Sequence, residues 1–183
     1  MKTVIVLRHA KSDWSDAALR DFDRGLNGRG ERAAAVMGQW AAGHGVTFET
    51  IIASPAVRVT QTLARFRDAY GPCPEPMRDM RLYLASAGTI AEVLSETAPD
   101  RASVLLAAHS PGLEDFILTA SGQERLTGLR ASVETKFPTA AMAVLTFYVA
   151  DWADLASGFA DAATLEAFVR PRDLDPSLGP DQR

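Results

Sequence analysis

Apolar positions along this chain keep two rhythms in alternation. Short continuous runs rich in β-branched and other apolar residues, at 3–7, Thr50–Ala53 and Ser103–Ala108, are separated by longer stretches in which apolar residues return every three or four positions. An unbroken apolar run reads as a strand buried on both faces, and the longer spacing as one face of a helix. The alternation predicts βαβ units, hence an α/β fold with a mainly parallel central sheet covered by helices on both faces.

Turn and cap residues set the boundaries. Residues 11–26 are polar and rich in aspartate, a surface loop; Asn27 then caps a helix whose Ala33, Val36, Met37, Trp40 and Ala41 share a face and which ends near Gly43-His44-Gly45. After the second strand, Ser54 is placed to cap a helix with Pro55 at its first position, burying Val59, Thr62, Leu63, Phe66 and Tyr70. Gly71-Pro72-Cys73-Pro74-Glu75-Pro76 is a stiff connector, and 77–86 reads as irregular strand and loop before a short helix over 89–96. The run Ser103–Ala108 leads directly into His109-Ser110-Pro111-Gly112 and a helix with Leu113, Phe116, Ile117 and Ala120 on one face. The stretch 122–138 keeps no steady period, 140–149 is the longest strand candidate, and 165–169 is expected to pair antiparallel at a sheet edge. One domain over residues 1–174 is expected, with 175–183 as a surface tail.

Composition narrows the chemistry. At 183 residues, 47% hydrophobic and 23% charged, the chain can bury an ordinary core, which sets aside disordered and disulfide-scaffold classes. A net charge of -4 offers no general field for nucleic acid or an anionic membrane, and neither is expected as a partner. Any anion must therefore be met by a local site. Cys73 is the one cysteine, so no internal disulfide or multi-cysteine metal cluster is available. The first apolar run ends at Arg8 with no cleavage pattern after it, and a cytoplasmic location is expected.

Two of the three histidines, His9 and His109, follow immediately on predicted buried strands, at what must be one edge of a parallel sheet. Ligands of open α/β sheets bind at that carboxyl edge. Arg8 adjoins His9, and Arg58 falls in the first turn of the helix after the second strand. Two guanidinium forks beside a helix N-terminus suit a dianionic tetrahedral oxyanion, and two imidazoles point to a covalent step in which one attacks phosphorus and the other stabilises the moving group.

Here the residues carry a resemblance. Leu7-Arg8-His9-Ala10 resembles the Arg-His-Gly motif of the histidine phosphatase superfamily, with Ala10 where glycine is usual. Ser54-Pro55-Ala56-Val57-Arg58-Val59-Thr60-Gln61-Thr62 looks like its second-arginine segment, and Ala108-His109-Ser110-Pro111-Gly112-Leu113-Glu114 like its second-histidine segment. Arg8 to Trp14, Asp21-Phe22-Asp23-Arg24, Leu82-Tyr83-Leu84-Ala85-Ser86 and Lys136-Phe137-Pro138-Thr139 are similar to the short SixA-type phosphohistidine phosphatases, a likeness running from Lys2 to about Leu174. The resemblance implies a phosphoglycerate-mutase-like three-layer sandwich. It also implies His9 as the nucleophile that becomes phosphorylated, Arg8 and Arg58 as phosphate clamps, His109 as the second pocket histidine, and no metal or organic cofactor.

The departure concerns the general acid. Phosphomonoesterases of the superfamily supply a carboxylate from mid-chain, whereas Leu82-Tyr83-Leu84-Ala85-Ser86 offers none; Asp13, Asp23 and Asp79 stay open as loop donors. A phosphorylated imidazole can take its proton from solvent and leave neutral, so the expected substrate is a phosphohistidine-bearing phosphorelay or phosphotransfer protein. A small-molecule phosphomonoesterase and a non-catalytic phosphate-binding module stay open as alternatives. Lys11 and Ser12 read either as phosphate contacts or as loop residues, Ser54 as a cap, Thr62 as packing, His44 as an exposed helix end, and Glu114 and Asp115 as helix-dipole partners. Cys73 lacks an arginine six residues on, where Asp79 stands, and no strand precedes Asp21-Phe22-Asp23, which sets aside cysteine- and aspartate-phosphatase chemistry. Gly25, Gly28 and Gly30 do not form a nucleotide-binding loop.

Overall fold

The computed structural model describes residues 1–122 and 128–179. In chain order the elements are β1 (Lys2–Arg8), α1 (Gly28–Gly43), β2 (Thr50–Ala53), α2 (Val57–Tyr70), β3 (Pro76–Arg78), α3 (Ala87–Ser95), β4 (Ser103–Ala108), α4 (Gly112–Ala120), α5 (Gly128–Thr135), β5 (Met142–Phe147), α6 (Asp154–Ser157), β6 (Ala163–Val169) and α7 (Pro171–Leu174). The strands form one sheet in the order β3-β2-β4-β1-β5-β6. β3, β2, β4 and β1 are parallel neighbours, while β5 runs against both β1 and β6. The α/β class, the mainly parallel sheet and the antiparallel edge pairing of β6 agree with the sequence pattern.

Strand alternation divides the core between the two faces of the sheet. Val4 and Val6 of β1, with Val104 and Leu106 of β4, point to the side covered by α3 and α4. Ile5 and Leu7, with Leu105 and Ala107, point to the side covered by α1 and α2. The result is a three-layer sandwich. α1 and α2 pack closely because of Gly38, where an added Cβ would overlap the carbonyl oxygen of Phe66.

The parallel register fixes the functional edge. Arg8 of β1 stands opposite Ala108 of β4, and Ala53 of β2 opposite Ala107. The ladder continues one residue further, through His9 N–H to Ala108 O (3.1 Å) and Ser54 N–H to Ala107 O (3.0 Å). Three strands thus deliver His9, Ser54 and His109 to the same rim.

Asn27 caps α1 as expected, its side chain accepting from Gly30 N–H. α2 begins later than the cap pattern predicts. Ala56 holds the N-cap position, Pro55 precedes the helix, and the Ser54 hydroxyl turns toward His109. α3 starts at Ala87 because Ser86 caps it through Thr89 N–H. The 77–86 stretch resolves into short β3 and a 3-10 turn over Met80–Leu82. α5 lies within the stretch that showed no period; residues 123–127 of that stretch are outside the described residues. The expected tail over 175–183 is in part docked: Leu178 is buried in the core beside α1, and Arg29 donates to Gly179 O (3.1 Å). An apolar side chain returning to the α1 surface overrides the polar character of its neighbours, while 180–183 lie outside the described residues.

Candidate active site

His9 leaves β1 with its backbone held on both sides, donating to Ala108 O and accepting from Ala140 N–H (3.0 Å). Its Nδ1 lies 2.8 Å from Ala10 O. A carbonyl only accepts, so Nδ1 carries the proton and Nε2 keeps its lone pair. Thr62 locks the turn, accepting from Ala10 N–H (2.9 Å) and donating to Arg58 O (2.6 Å), so a residue read as packing ties the His9 turn to α2.

The His109 ring centroid is 5.2 Å from that of His9. Its Nδ1 meets an Arg58 guanidinium nitrogen at 3.2 Å and its Nε2 meets Ser54 Oγ at 2.8 Å. Guanidinium cannot accept, so Nδ1 is the acceptor and Nε2–H donates to Ser54. Burial, helped by the charges of Arg58 and Arg8, holds His9 down at about 4. Burial and then the charges of His9, Arg58 and Arg8 hold His109 at about 3. Both imidazoles are therefore neutral near pH 7, and His9 Nε2 is available as a nucleophile.

Arg58 is almost wholly buried and donates to Asp21 O (2.6 Å) and to Asp21 Oδ2 (2.9 Å). Tyr83 also donates to Asp21 Oδ2 (2.6 Å), and its ring stands edge-on to His109 at 5.5 Å. The Tyr83 and Arg58 hydrogen bonds hold the Asp21 carboxyl below its usual range. Arg8 donates to Phe137 O (2.6 Å), while its Nε is buried without a partner. Desolvation lowers the Arg8 pKa, and the Glu114 carboxylate opposes that shift, so Glu114 acts on the site as well as on its own helix end.

The four residues singled out from the sequence thus converge, and three others join them: Asp21, Ser54 and Tyr83. Ser54 had a sufficient account as a cap, and nothing local shows that its hydroxyl reaches a histidine 55 positions away. Asp21 and Tyr83 lie in segments that carried the SixA-type resemblance, which was the available signal. The loop carboxylates left open as acids are engaged elsewhere. Asp13 accepts from Ser15 N–H, Asp23 pairs with Arg20 and Asp79 with Arg81. His44 is outside the site, stacked on Trp40. A cavity of about 510 Å³ near Glu49, Met77 and Arg101 is lined by Asp79 but by neither histidine of the site, nor by Arg8 or Arg58, so cavity size does not mark the chemistry here. Among the described residues, no three His, Cys, Asp or Glu side chains are placed to hold a metal ion. No helix of the described residues is long and apolar enough to cross a membrane.

Comparisons with known proteins bear on this geometry. An uncharacterized protein from Mycobacterium tuberculosis is 34% identical over 170 residues, covering 91% of this chain and 100% of its own length. A structure from Agrobacterium tumefaciens, assigned as the phosphohistidine phosphatase SixA, is 28% identical with a TM-score of 0.76, covering 93% of this chain and 98% of that one. The protein histidine phosphatase SixA complexed with tungstate shares the fold at a TM-score of 0.74 and 24% identity, covering 94% of this chain and 99% of that one. The sequence profile that matches residues 4–101 is that of the histidine phosphatase superfamily (branch 1), and with two histidines and two arginines gathered at one sheet edge, the chain belongs to that superfamily.

Proposed function

We propose that the protein is a metal-independent phosphohistidine phosphatase that works through a phosphorylated His9. The observation that carries this reading is the neutral His9, its Nδ1–H tied to Ala10 O, set 5.2 Å from His109 and within the fields of Arg8 and Arg58. In the first step His9 Nε2 forms a bond to phosphorus while the substrate's N–P bond breaks, its electron pair returning to the leaving imidazole. Arg8 and Arg58 hold the equatorial oxygens. A dianion beside His109 favours its protonated form, in which Nδ1 no longer accepts from Arg58, so that Nδ1–H and the released Arg58 N–H both donate to phosphoryl oxygens. Water then attacks phospho-His9, releases phosphate and restores the ring.

The substrate class follows from the loop acids, none of which is free to protonate a leaving group. Asp13, Asp23 and Asp79 are engaged elsewhere, and Asp21 is an ionised acceptor between Arg58 and Tyr83. An alkoxide needs a proton as it leaves, whereas a phosphorylated imidazole can be protonated on its far nitrogen by solvent and depart neutral. Similarity to the Agrobacterium tumefaciens structure assigned as SixA supports the same choice.

The test is a rapid quench with a labelled phosphohistidine protein, beside a panel of small phosphoesters. Label that is acid-labile and alkali-stable is expected on His9 in the wild type and absent in His9→Ala. Turnover is expected to be indifferent to EDTA. Binding with no transfer of label would leave a phosphate-binding module, and comparable turnover of an unactivated alkyl phosphate would sink the substrate assignment in favour of a phosphomonoesterase.

A further inference from the structure

Arg8 faces a second feature that the proposed chemistry leaves unused. Beside it lies a cleft of about 330 Å³ lined by Lys11, Arg29, Lys136, Arg170 and Arg172. Six of the chain's 19 Lys and Arg residues therefore meet in one cleft of a protein whose net charge is -4. Among the described residues that line it, none carries a carboxylate and none is aromatic. Asp173, just outside, offsets part of this charge through a bidentate pair with Arg170 (2.9 and 2.9 Å). The cations come from separate segments: the turn after β1, the first turn of α1, the approach to β5, and the junction of β6 with α7. Arg8 joins the cleft to the site, since its side chain lines the former and its charge reaches both histidines of the latter. Its buried Nε has no partner, so a hydrogen-bond donor stands unused where the two meet.

Such concentration is costly in self-repulsion unless an anion relieves it. With no aromatic face in the described lining, the cleft lacks the stacking platform that a nucleobase uses. Cations spread over several segments can meet carboxylates at several spacings, which suits a run of acidic side chains better than one fixed phosphate. We propose that this cleft docks an acidic segment of the protein whose phosphoryl group is removed at His9, a proposal that rests on the phosphohistidine reading above. Binding there holds the segment next to the phosphorylated residue, and the local positive field steers the partner in against the overall negative charge.

The test uses Lys136→Glu/Arg172→Glu, two exposed side chains outside the proposed catalytic group. A fluorescent hexaglutamate peptide is expected to bind the wild type, to weaken about tenfold in the double variant, and to weaken with added salt. For phosphohistidine peptides, the preference for glutamate over lysine flanks is expected to fall about tenfold in the variant, while turnover of phosphoramidate stays unchanged. Hexaglutamate that fails to bind, or binds wild type and variant alike, overturns the proposal. So does pyrophosphate binding that depends on Lys136 and Arg172 when hexaglutamate binding does not, since the occupant is then a small phosphate. If hexaglutamate binding depends on the two residues but no phosphohistidine peptide is turned over, the acidic-ligand site stands and the assigned reaction fails.

Discussion

Ser54 shows how much one hydroxyl decides in this site. Arg58 donates to His109 Nδ1, and Ser54 receives the proton on Nε2, so the two partners together select one tautomer of a nearly inaccessible ring. Ser54→Ala leaves a buried N–H without a partner, a cost of about 1–3 kcal/mol. The expected result is a fall of roughly tenfold in kcat with a smaller change in KM, because 1.4 kcal/mol is about a factor of ten and the lost bond positions a group that the proposed reaction sets against the transferring phosphoryl. Long-range proton–nitrogen correlation spectra should show His109 as the Nε2–H form in the wild type and a mixture in the variant. An unchanged spectrum would remove Ser54 from the positioning role. The same residue marks a limit of sequence reading. His9, Arg8, Arg58 and His109 were legible because each lies at a strand end or in the first turn after one. Contacts such as Tyr83 to Asp21, 62 positions apart, depend on how loops fold over the rim.

At the level of elements, β3 is three residues with Met77 and Arg78 exposed and left no apolar run, whereas β1, β2, β4 and β5 were legible from such runs, and α1 and α2 from a spacing that matches their buried faces. The exact start of α2 was not, because a serine before a proline satisfies the pattern of a cap whether it caps the helix or turns toward a histidine. α5 was missed for another reason: it buries only Arg130 and Val133, too little to leave an apolar period. Close approach between elements also left no readable period, and it can be tested by comparing two glycines. A Cβ at Gly38 would overlap Phe66 O between α1 and α2; one at Gly112 would overlap Ala85 O at the start of α4. Each alanine substitution is expected to cost about 1–3 kcal/mol through overpacking, read from urea midpoints. Gly38→Ala should leave kcat near wild type, since it pushes apart two helices behind the sheet. Gly112→Ala should also lower kcat, because Gly112 begins the helix three residues after His109 and relief of the overlap moves that rim. Equal kcat in both variants would show that α4 can shift without disturbing His109.

The whole molecule carries the thermodynamic cost of keeping two imidazoles neutral beside two guanidiniums. In the unfolded chain a histidine titrates near 6.5, whereas here His9 is held at about 4 and His109 at about 3, burial being the largest cause for both. Below pH 6.5 the unfolded state then binds more protons than the folded state, so stability rises with pH across this window. The contribution is complete above 6.5 and is lost as pH falls from there through the folded values. Carboxylates held below their usual range add a second loss at lower pH: Asp21 through Tyr83, Asp79 through Arg81 and Asp173 through Arg170. Between pH 7 and pH 5 the histidines dominate, because the carboxylates remain ionised in both states until the pH nears their unfolded values. Roughly 2 kcal/mol per histidine should disappear over that interval. Urea unfolding at the two pH values is expected to show this loss in the wild type and about half of it in His9→Gln. In His9→Gln/His109→Gln most of the slope should vanish, whatever the absolute stability of that variant. A wild-type slope that survives in the double variant would place the acid sensitivity on other groups and remove the two histidines from the account. An oxyanion should act in the opposite sense to acid. Tungstate held by the proposed Arg8 and Arg58 clamp would favour protonated imidazole in the folded state, so it should flatten the wild-type slope as well as raise the midpoint.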